Sequence, residues 1–350
     1  MNHASLPDKT DTLIIGAGPI GLELAVCLKH LGADYLHLDA GNVGQTVIDY
    51  PKQTRYFSSP DRIAIAGVSL PTNGEKATRE QYLAYFNGVV KQFDLDVRRY
   101  TKVTDLRRHF DAGFEAITPH RTIHAKHVVL AIGDMHHPRL LHIPGEDLPH
   151  VSHYFDEPYP YVGQKLLIVG GKNSAVECAL RCFHAGADVT LSYRQDRFDE
   201  RAIKYWLLPE IQALIKHGKI DFHPGTVPTR IEPDGVTLET VDDGKHHAKL
   251  QADFVLMLTG YEQDKTLFRS ADVTLEGENQ SPRVDPETME TDVPHLYVAG
   301  TAAAGTQVGF SLFIENCHEH ARKIAAAITG TAPPDHLIND AAATYGLAES

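Results

Sequence analysis

Two glycine-rich turns, each set between an apolar β-type run and a stretch with helical spacing, predict an α/β fold with two three-layer βαβ domains. Apolar strands that resume the first unit after the second is complete predict that the second domain is inserted in the first. The turns are Gly16-Ala17-Gly18-Pro19-Ile20-Gly21 and Gly170-Gly171-Lys172-Asn173-Ser174-Ala175. At 350 residues the chain is long enough for two domains, each with its own core.

The first unit runs from an apolar strand, Thr12 to Ile15, through the first turn into a helix, Leu22 to Leu31, and on to a second strand, Tyr35 to Leu38. That strand ends in Asp39, about 20 residues past the turn, where a carboxylate can accept hydrogen bonds from a ribose diol. Residues 41–78 are rich in Pro, Ser and Thr and too long for an idle connection, so they are expected to line a ligand. His127 to Ile132 reads as a buried strand that ends in Gly133-Asp134, and Pro138, Pro144 and Gly145 then mark the first crossing.

The second unit repeats the order: strand Lys165 to Val169, turn, helix Val176 to His184, strand Asp188 to Tyr193. Phe254 to Leu258 is its last apolar strand, and Thr259-Gly260-Tyr261 marks the return. His295 to Ala299 and a helix from about Leu312 to Ile328 are expected to close the first domain. The resulting division is 10–138 with 260–330 for the first domain, 139–259 for the second, and a loosely attached tail at 331–350.

Lys and Arg total 33 against 46 Asp and Glu, a formal charge of −13 that disfavours nucleic acid and anionic membrane as partners. No apolar run reaches membrane-spanning length and the first residues carry no apolar leader, so a cytoplasmic location is expected. The four cysteines, Cys27, Cys178, Cys182 and Cys317, form neither a secreted disulfide framework nor a Cys-x-x-Cys pair, and no metal site is expected. Cys178 and Cys182 share a helix face, where small buried packing residues are the expected reading.

The glycines of the first turn permit a tight bend (Gly16), close approach of a pyrophosphate (Gly18) and helix-on-strand packing (Gly21). With Asp39 at the ribose position and a second, separate site downstream, FAD is the expected occupant. In the second turn Lys172 stands where the middle glycine is expected, exchanging close backbone approach for an ammonium, with a phosphate contact weighed against solvent exposure. Asn173 and Ser174 can add polar contacts at the helix start, where Glu177 is favoured by the dipole. Tyr193-Arg194 occupies the position that Asp39 holds in the first unit, with Arg197 and Arg201 close behind. A guanidinium there suits a 2′-phosphate, which favours NADPH over NADH. Two such sites allow hydride transfer from nicotinamide to flavin, for which no protein acid or base is required.

With these segments in view, residues 10 to 330 resemble the pyridine nucleotide-disulfide oxidoreductase superfamily in its thioredoxin-reductase-like arrangement, and within it the bacillithiol-disulfide reductase family. The matching segments are Gly41-Asn42-Val43 with Tyr50-Pro51, Phe57-Ser58-Ser59, the second turn, Ile203-Lys204-Tyr205-Trp206, Leu258-Thr259-Gly260-Tyr261, Thr288-Met289-Glu290-Thr291 and Phe313-Ile314-Glu315-Asn316. The resemblance implies two Rossmann-like domains, the NADPH domain inserted in the FAD domain. It also implies a homodimeric flavoprotein that spends NADPH on a low-molecular-weight disulfide.

On this basis the FAD site is expected to draw on Gly16, Gly18, Pro19, Ile20, Gly21, Asp39, Ala40, Gly41, Asn42, Thr46, Tyr50, Val103, Ile132, Gly133, Gly300, Val308 and Gly309. The NADPH site is expected to draw on Gly170, Lys172, Asn173, Ser174, Ala175, Glu177, Tyr193, Arg194, Arg201 and Gly260. Two departures stand out. The family is expected to carry a cysteine in the first turn where this chain has Ile20, and Thr301 follows Gly300 where flavoproteins of this kind commonly place an aspartate. A mixed-disulfide route needs a thiolate, which Ile20 cannot supply, so the catalytic group is the flavin itself, with Cys317 as a candidate thiol against inert packing. A ferredoxin- or flavodoxin-NADP reductase is the alternative, with a small redox protein as acceptor. A flavin monooxygenase and a non-catalytic redox-responsive flavoprotein are further readings.

Overall fold

The computed structural model describes residues 6–109, 113–242, 247–309 and 311–339. It consists of two compact units, one built from the chain up to His137 together with the chain from Glu262 onward, the other from Pro138–Tyr261.

In the first unit the strands Val97–Arg98, Tyr35–Leu38, Lys9–Ile15 and Thr122–Leu130 lie parallel in that order. Thr122–Leu130 also takes the antiparallel strand Gly113–Ile117 along its first half, and the parallel strand Leu296–Val298 along its last three residues. Both faces are covered, with Ile14, Leu22, Val26, Tyr82 and Phe86 on one side and Leu13, Ile15, Leu38, Phe114 and Phe268 on the other. Burial on two faces explains why the strands read as unbroken apolar runs.

The helix after the first turn, Pro19–His30, starts with proline at its first position, where the missing N–H costs nothing. Thr78 and Gln81 form a reciprocal capping box that starts the helix Arg79–Gln92. From that helix the Tyr82 hydroxyl donates to the Ile63 carbonyl (2.7 Å) and the Tyr85 hydroxyl to the Val68 carbonyl (2.7 Å). These bonds pin part of the Pro/Ser/Thr-rich segment, which contains two four-residue helices, Gln45–Ile48 and Pro60–Ile63.

The last long helix is His318–Thr329, shorter than the Leu312 to Ile328 span that spacing predicts. Side chains capture the backbone ahead of it: Gln307 Oε1 accepts from the amides of Ser311 and Leu312, and Asn316 Oδ1 from that of Phe313. Residues 332–338 are not the loose tail that their composition suggests. Leu337 and Ile338 are buried in the first core, and Asn339 donates to the carbonyls of Asp61 and Ala64, both at 2.6 Å. Residues 340–350 lie outside the described chain.

In the second unit Asp221–Pro224, Asp188–Tyr193, Lys165–Val169, Phe254–Met257 and Val151–Ser152 form a parallel sheet in that order. The helix Asn173–Ala185 packs Ala175, Val176 and Ala179 with Ile168, Leu191 and Leu256 on one face. It ends at Gly186, whose φ of 103° suits a left-handed cap. On the other face Leu167, Val169, Val255 and Met257 meet Ile231, Val236 and Leu238 of an antiparallel sheet, Thr226–Glu232, Gly235–Thr240 and His247–Gln251. In both units the glycine turn therefore stands at the carboxyl end of a central strand, where an open α/β sheet leaves a crevice.

Candidate functional site: two glycine turns with unlike surroundings

The backbone of the first turn has φ of 109° at Gly16, and a Cβ there would collide with the Ala131 carbonyl. A Cβ on Gly21 would collide with the Gly16 carbonyl, so both glycines are demanded by packing. At Gly18 a Cβ would meet nothing within 4 Å, so no protein atom demands glycine at this helix start. The space beside it suits a ligand phosphate approaching the helix N-terminus.

The second strand holds this turn in two ways. Asp39 accepts from the amide of Ala17 through Oδ2 (2.6 Å) and from that of Gly41 through Oδ1 (2.7 Å). Burial raises the pKa of its carboxyl, and the two amides oppose the rise. Each oxygen keeps a lone pair for a further donor. Two residues earlier, the buried His37 shares a hydrogen bond of 2.9 Å between Nε2 and the Gly16 carbonyl, which fixes Nε2 as the donor. Burial pushes its pKa down to about 4, against the pull of that carbonyl.

A second loop of this unit carries Gly300 (φ 72°), whose amide donates to His320 Nδ1 at 3.2 Å. A Cβ on Gly300 would sit 3.4 Å from that of Ile20, so the two loops are neighbours. Asp134 is buried beside them. Burial raises its pKa, while hydrogen bonds from Gln307 Nε2 (2.8 Å) and the Thr301 hydroxyl oppose the rise. A carboxylate and a hydroxyl are thus both present near Gly300, with the carboxylate on residue 134.

The remaining residues expected at this site fall into groups. Ala40 and Thr46 are exposed, and Tyr50 is half-buried with its hydroxyl 3.8 Å from Met135 Sδ. Asn42 Oδ1 is engaged by the Val43 amide at 2.9 Å. Gly133 (φ 77°) receives a bond from Gln263 Nε2 at its carbonyl (3.1 Å). The Val103 side chain packs in the core with Ile15 and Leu38, and Ile132 against that core. Val308 and Gly309 are exposed and lie ten and nine residues ahead of His318, where the last helix begins, so neither stands at its start.

The second turn is built from larger groups. A Cβ on Gly170 (φ 146°) would collide with the Leu258 carbonyl, and one on Gly171 with the Tyr193 ring. Tyr193 is consequently buried under the turn, with its ring 6.1 Å from that of Phe198 and nearly parallel to it. The Gly171 backbone covers one face of this ring. Lys172 caps the helix whose first residues are Asn173, Ser174 and Ala175. Partial burial and the guanidinium groups of Arg194 and Arg139 lower the Lys172 pKa, against the exposed carboxylate of Asp199. Asn173 Oδ1 accepts from the Lys204 amide, and Lys204 Nζ meets Glu177 Oε2, both at 2.6 Å. Glu177 is thus half of a partly buried ion pair that ties residues 203–206 to the helix start. Arg201 is exposed and turned to Asp199, with Nε 3.3 Å from its carboxylate. Gly260 has φ of 100° and open space around it.

Sequence reasoning passed over His37, His320, Asp134, Lys204 and Arg139. No motif marks the first three, whose roles appear only once strands and loops are paired. Lys204 lies inside one of the matching segments, and Arg139 lies in the crossing.

All four cysteines are buried. Cys178 and Cys182 are 3.9 Å apart through their sulfurs and pack in the core of the second unit. Burial, with Glu23 adding, pushes the Cys27 thiol up to about 12. The Cys317 thiol is raised still further by burial, Asp134 and Glu23. The role of candidate thiol does not fit Cys317, because a sealed, protonated sulfur is neither nucleophilic nor reachable. Among the described residues no helix is long and apolar enough to cross a membrane.

Two strand–glycine turn–helix units, one ending in an anchored carboxylate and the other ringed by cations, define an oxidoreductase of the thioredoxin-reductase fold class. Residues 13–300 match the pyridine nucleotide-disulphide oxidoreductase family model, and the chain belongs to that family of flavin-dependent enzymes. FAD and NADPH are the cofactors of this class. The chain is 35% identical over 316 residues to the bacilliredoxin reductase Bdr of Bacillus subtilis (strain 168), covering 90% of this chain and 96% of that protein. The solved bacillithiol disulfide reductase Bdr (YpdA) from Staphylococcus aureus superposes with a TM-score of 0.87 at 34% identity, over 93% of this chain and 99% of that one. A ferredoxin–NADP reductase of Ignicoccus hospitalis (strain KIN4/I / DSM 18386 / JCM 14125) is 28% identical over 87% of this chain and 97% of that protein. Membership of an enzyme family sets aside the reading as a non-catalytic flavoprotein.

Proposed function

We propose that this chain is a cytoplasmic, homodimeric reductase that binds FAD at the first turn and NADPH at the second, and reduces a low-molecular-weight disulfide. The observation that carries this reading is the contrast between the turns: Asp39 anchored for a ribose diol at one, Lys172, Arg194 and Arg139 gathered for phosphates at the other. FAD held at the first turn would supply a two-electron relay between nicotinamide and acceptor, the balance being NADPH, a proton and a disulfide to NADP⁺ and two thiols. The chain's own work is placement. Gly16, Gly18 and Gly21 shape the turn, His37 and Asp39 hold it from the second strand, and Arg194 selects the 2′-phosphate.

With every cysteine buried, the proposed route to the disulfide involves no thiolate of the protein. The same burial, with the Ignicoccus hospitalis relative, favours a second reading in which the acceptor is a ferredoxin or flavodoxin. NADPH oxidation measured with bacillithiol disulfide and, separately, with ferredoxin decides between them. Turnover is expected with the disulfide. Turnover with ferredoxin alone selects the second reading, and flavin that stays oxidised under NADPH in stopped flow overturns both.

A further inference from the structure

We propose that Gln263 is a positioning residue for FAD, whose side-chain amide sets the spacing of two loops that bound the first-turn crevice. This rests on the reading of the first turn as the FAD turn. The strands Lys9–Ile15, Thr122–Leu130 and Leu296–Val298 lie side by side and parallel. Their carboxyl ends therefore deliver the first turn, the Gly133 loop and the Gly300 loop to one edge of the sheet. Close approach joins the first turn to each neighbour, since a Cβ on Gly16 would collide with the Ala131 carbonyl and one on Gly300 would sit 3.4 Å from that of Ile20. Side chains join the other two loops to each other. Gln263 Nε2 donates to the Gly133 carbonyl (3.1 Å) and to the Ala302 carbonyl (2.9 Å), while the Gln263 backbone amide donates to Thr306 Oγ1 (3.1 Å).

Two carbonyl neighbours fix which end of the amide carries the nitrogen. Its oxygen is left over: Gln263 is only 5% exposed, and Oε1 is buried with no hydrogen-bond partner among the described residues. An apolar side chain of similar length would strand no acceptor there. What it could not do is offer two N–H donors from one group, one to each loop. Gln307 crosses the same gap, Nε2 donating to Asp134 Oδ2 (2.8 Å), and leaves no oxygen idle, since its Oε1 accepts from the amides of Ser311 and Leu312. The idle oxygen of Gln263 thus marks a side chain kept for the position of the loops at a cost in stability.

Serial dilution of the holoenzyme, with the fluorescence of freed flavin read at each step, measures FAD affinity. Melting at a series of FAD concentrations, extrapolated to none, measures the stability of the chain itself. Gln263→Leu is expected to weaken FAD about 10- to 100-fold, the worth of two hydrogen bonds, yet to melt within about 3 °C of wild type in that extrapolation, because the stranded oxygen leaves with the donors. Gln263→Glu adds a signature that packing does not produce. Its neutral acid keeps one donor and its carboxylate none, so FAD should loosen as pH rises from about 6.5 to 9, and more steeply than in wild type. If Gln263→Leu melts early, Gln263→Glu carries the test by itself, and a loss there that does not change with pH overturns the assignment. Wild-type FAD affinity in a folded Gln263→Leu also overturns it and leaves the FAD reading of the turn in place, whereas a wild type that takes up no FAD overturns both.

Discussion

His318 Nδ1 lies 2.7 Å from Glu23 Oε2, with both side chains sealed from solvent, and the imidazole's other nitrogen is 2.9 Å from the Arg62 carbonyl. Two acceptors on one ring require two N–H donors, so His318 is an imidazolium and the contact is a buried ion pair. Glu23 Oε1 also accepts from the amides of Ala66 (3.0 Å) and Asn339 (3.3 Å). One pair thus joins the first-turn helix, the last helix, the irregular segment and the chain end.

Removing one member strands the other charge, so Glu23→Gln and His318→Leu are each expected to cost about 3 to 5 kcal/mol in urea unfolding. Burial opposes the charge on His318, but Glu23 and the Arg62 carbonyl outweigh it and hold the pKa above 6.5. A raised folded value means that this contribution is complete below pH 6.5 and is lost as pH rises through the folded value. A wild-type stability curve whose alkaline side is unchanged in His318→Leu would count against the charged pair.

His37 and His320 run the other way. Burial holds both down at about 4, against 6.5 when free. His37 Nδ1 is buried with no partner among the described residues, so a second proton there would be an unpaired buried donor, and a proton on His320 Nδ1 displaces the Gly300 amide. A depressed histidine stabilises the fold fully above pH 6.5 and loses that contribution as pH falls toward 4, on the order of 3 kcal/mol for His37. The expected result is loosening of the two loops proposed to hold FAD across that window, read as FAD release on acidification. Release that begins only below pH 4 would argue against the histidines as its cause.

The cysteines are expected to be dispensable for electron transfer. Cys317→Ala should keep kcat and KM for any acceptor within about twofold, while the small cavity it leaves lowers stability by about 1 kcal/mol. Cys27→Ala should behave alike. A variant that still lets NADPH bleach the flavin but no longer reduces the disulfide would restore a thiol route.

These contrasts show where the sequence is legible. Thr12 to Ile15, Tyr35 to Leu38, Lys165 to Val169 and Asp188 to Tyr193 lie within or coincide with observed strands, because both sheet faces are buried and the runs are unbroken. The antiparallel strands of each unit left no such trace: Asp105–His109 has three exposed positions out of five, a pattern close to that of a loop. The last helix was overextended because local spacing does not register the hydrogen bonds of Gln307 and Asn316. At the second turn residue type was legible and direction was not. Arg194 is set at the ribose position by sequence and Arg201 only follows it; in the structure Arg201 turns to Asp199, while Arg139, from the crossing, acts on Lys172.

That difference in direction yields the sharpest test of nucleotide choice. Arg194 follows a tyrosine fixed under Gly171, so its backbone is set by the turn, and it contributes to the field that lowers the Lys172 pKa. A planar guanidinium bound to a 2′-phosphate is lost entirely in Arg194→Ala, which should raise KM for NADPH about tenfold or more and barely alter that for NADH. Arg201 is exposed and engaged with Asp199, an arrangement worth little in water. Arg201→Ala should therefore leave the NADPH to NADH preference within about twofold. Initial-rate kinetics with both nucleotides at fixed ionic strength separates the two arginines. If Arg201→Ala erodes the preference as much as Arg194→Ala, then Arg201 leaves Asp199 when nucleotide binds, and the 2′-phosphate pocket is completed by movement of residues 199–202.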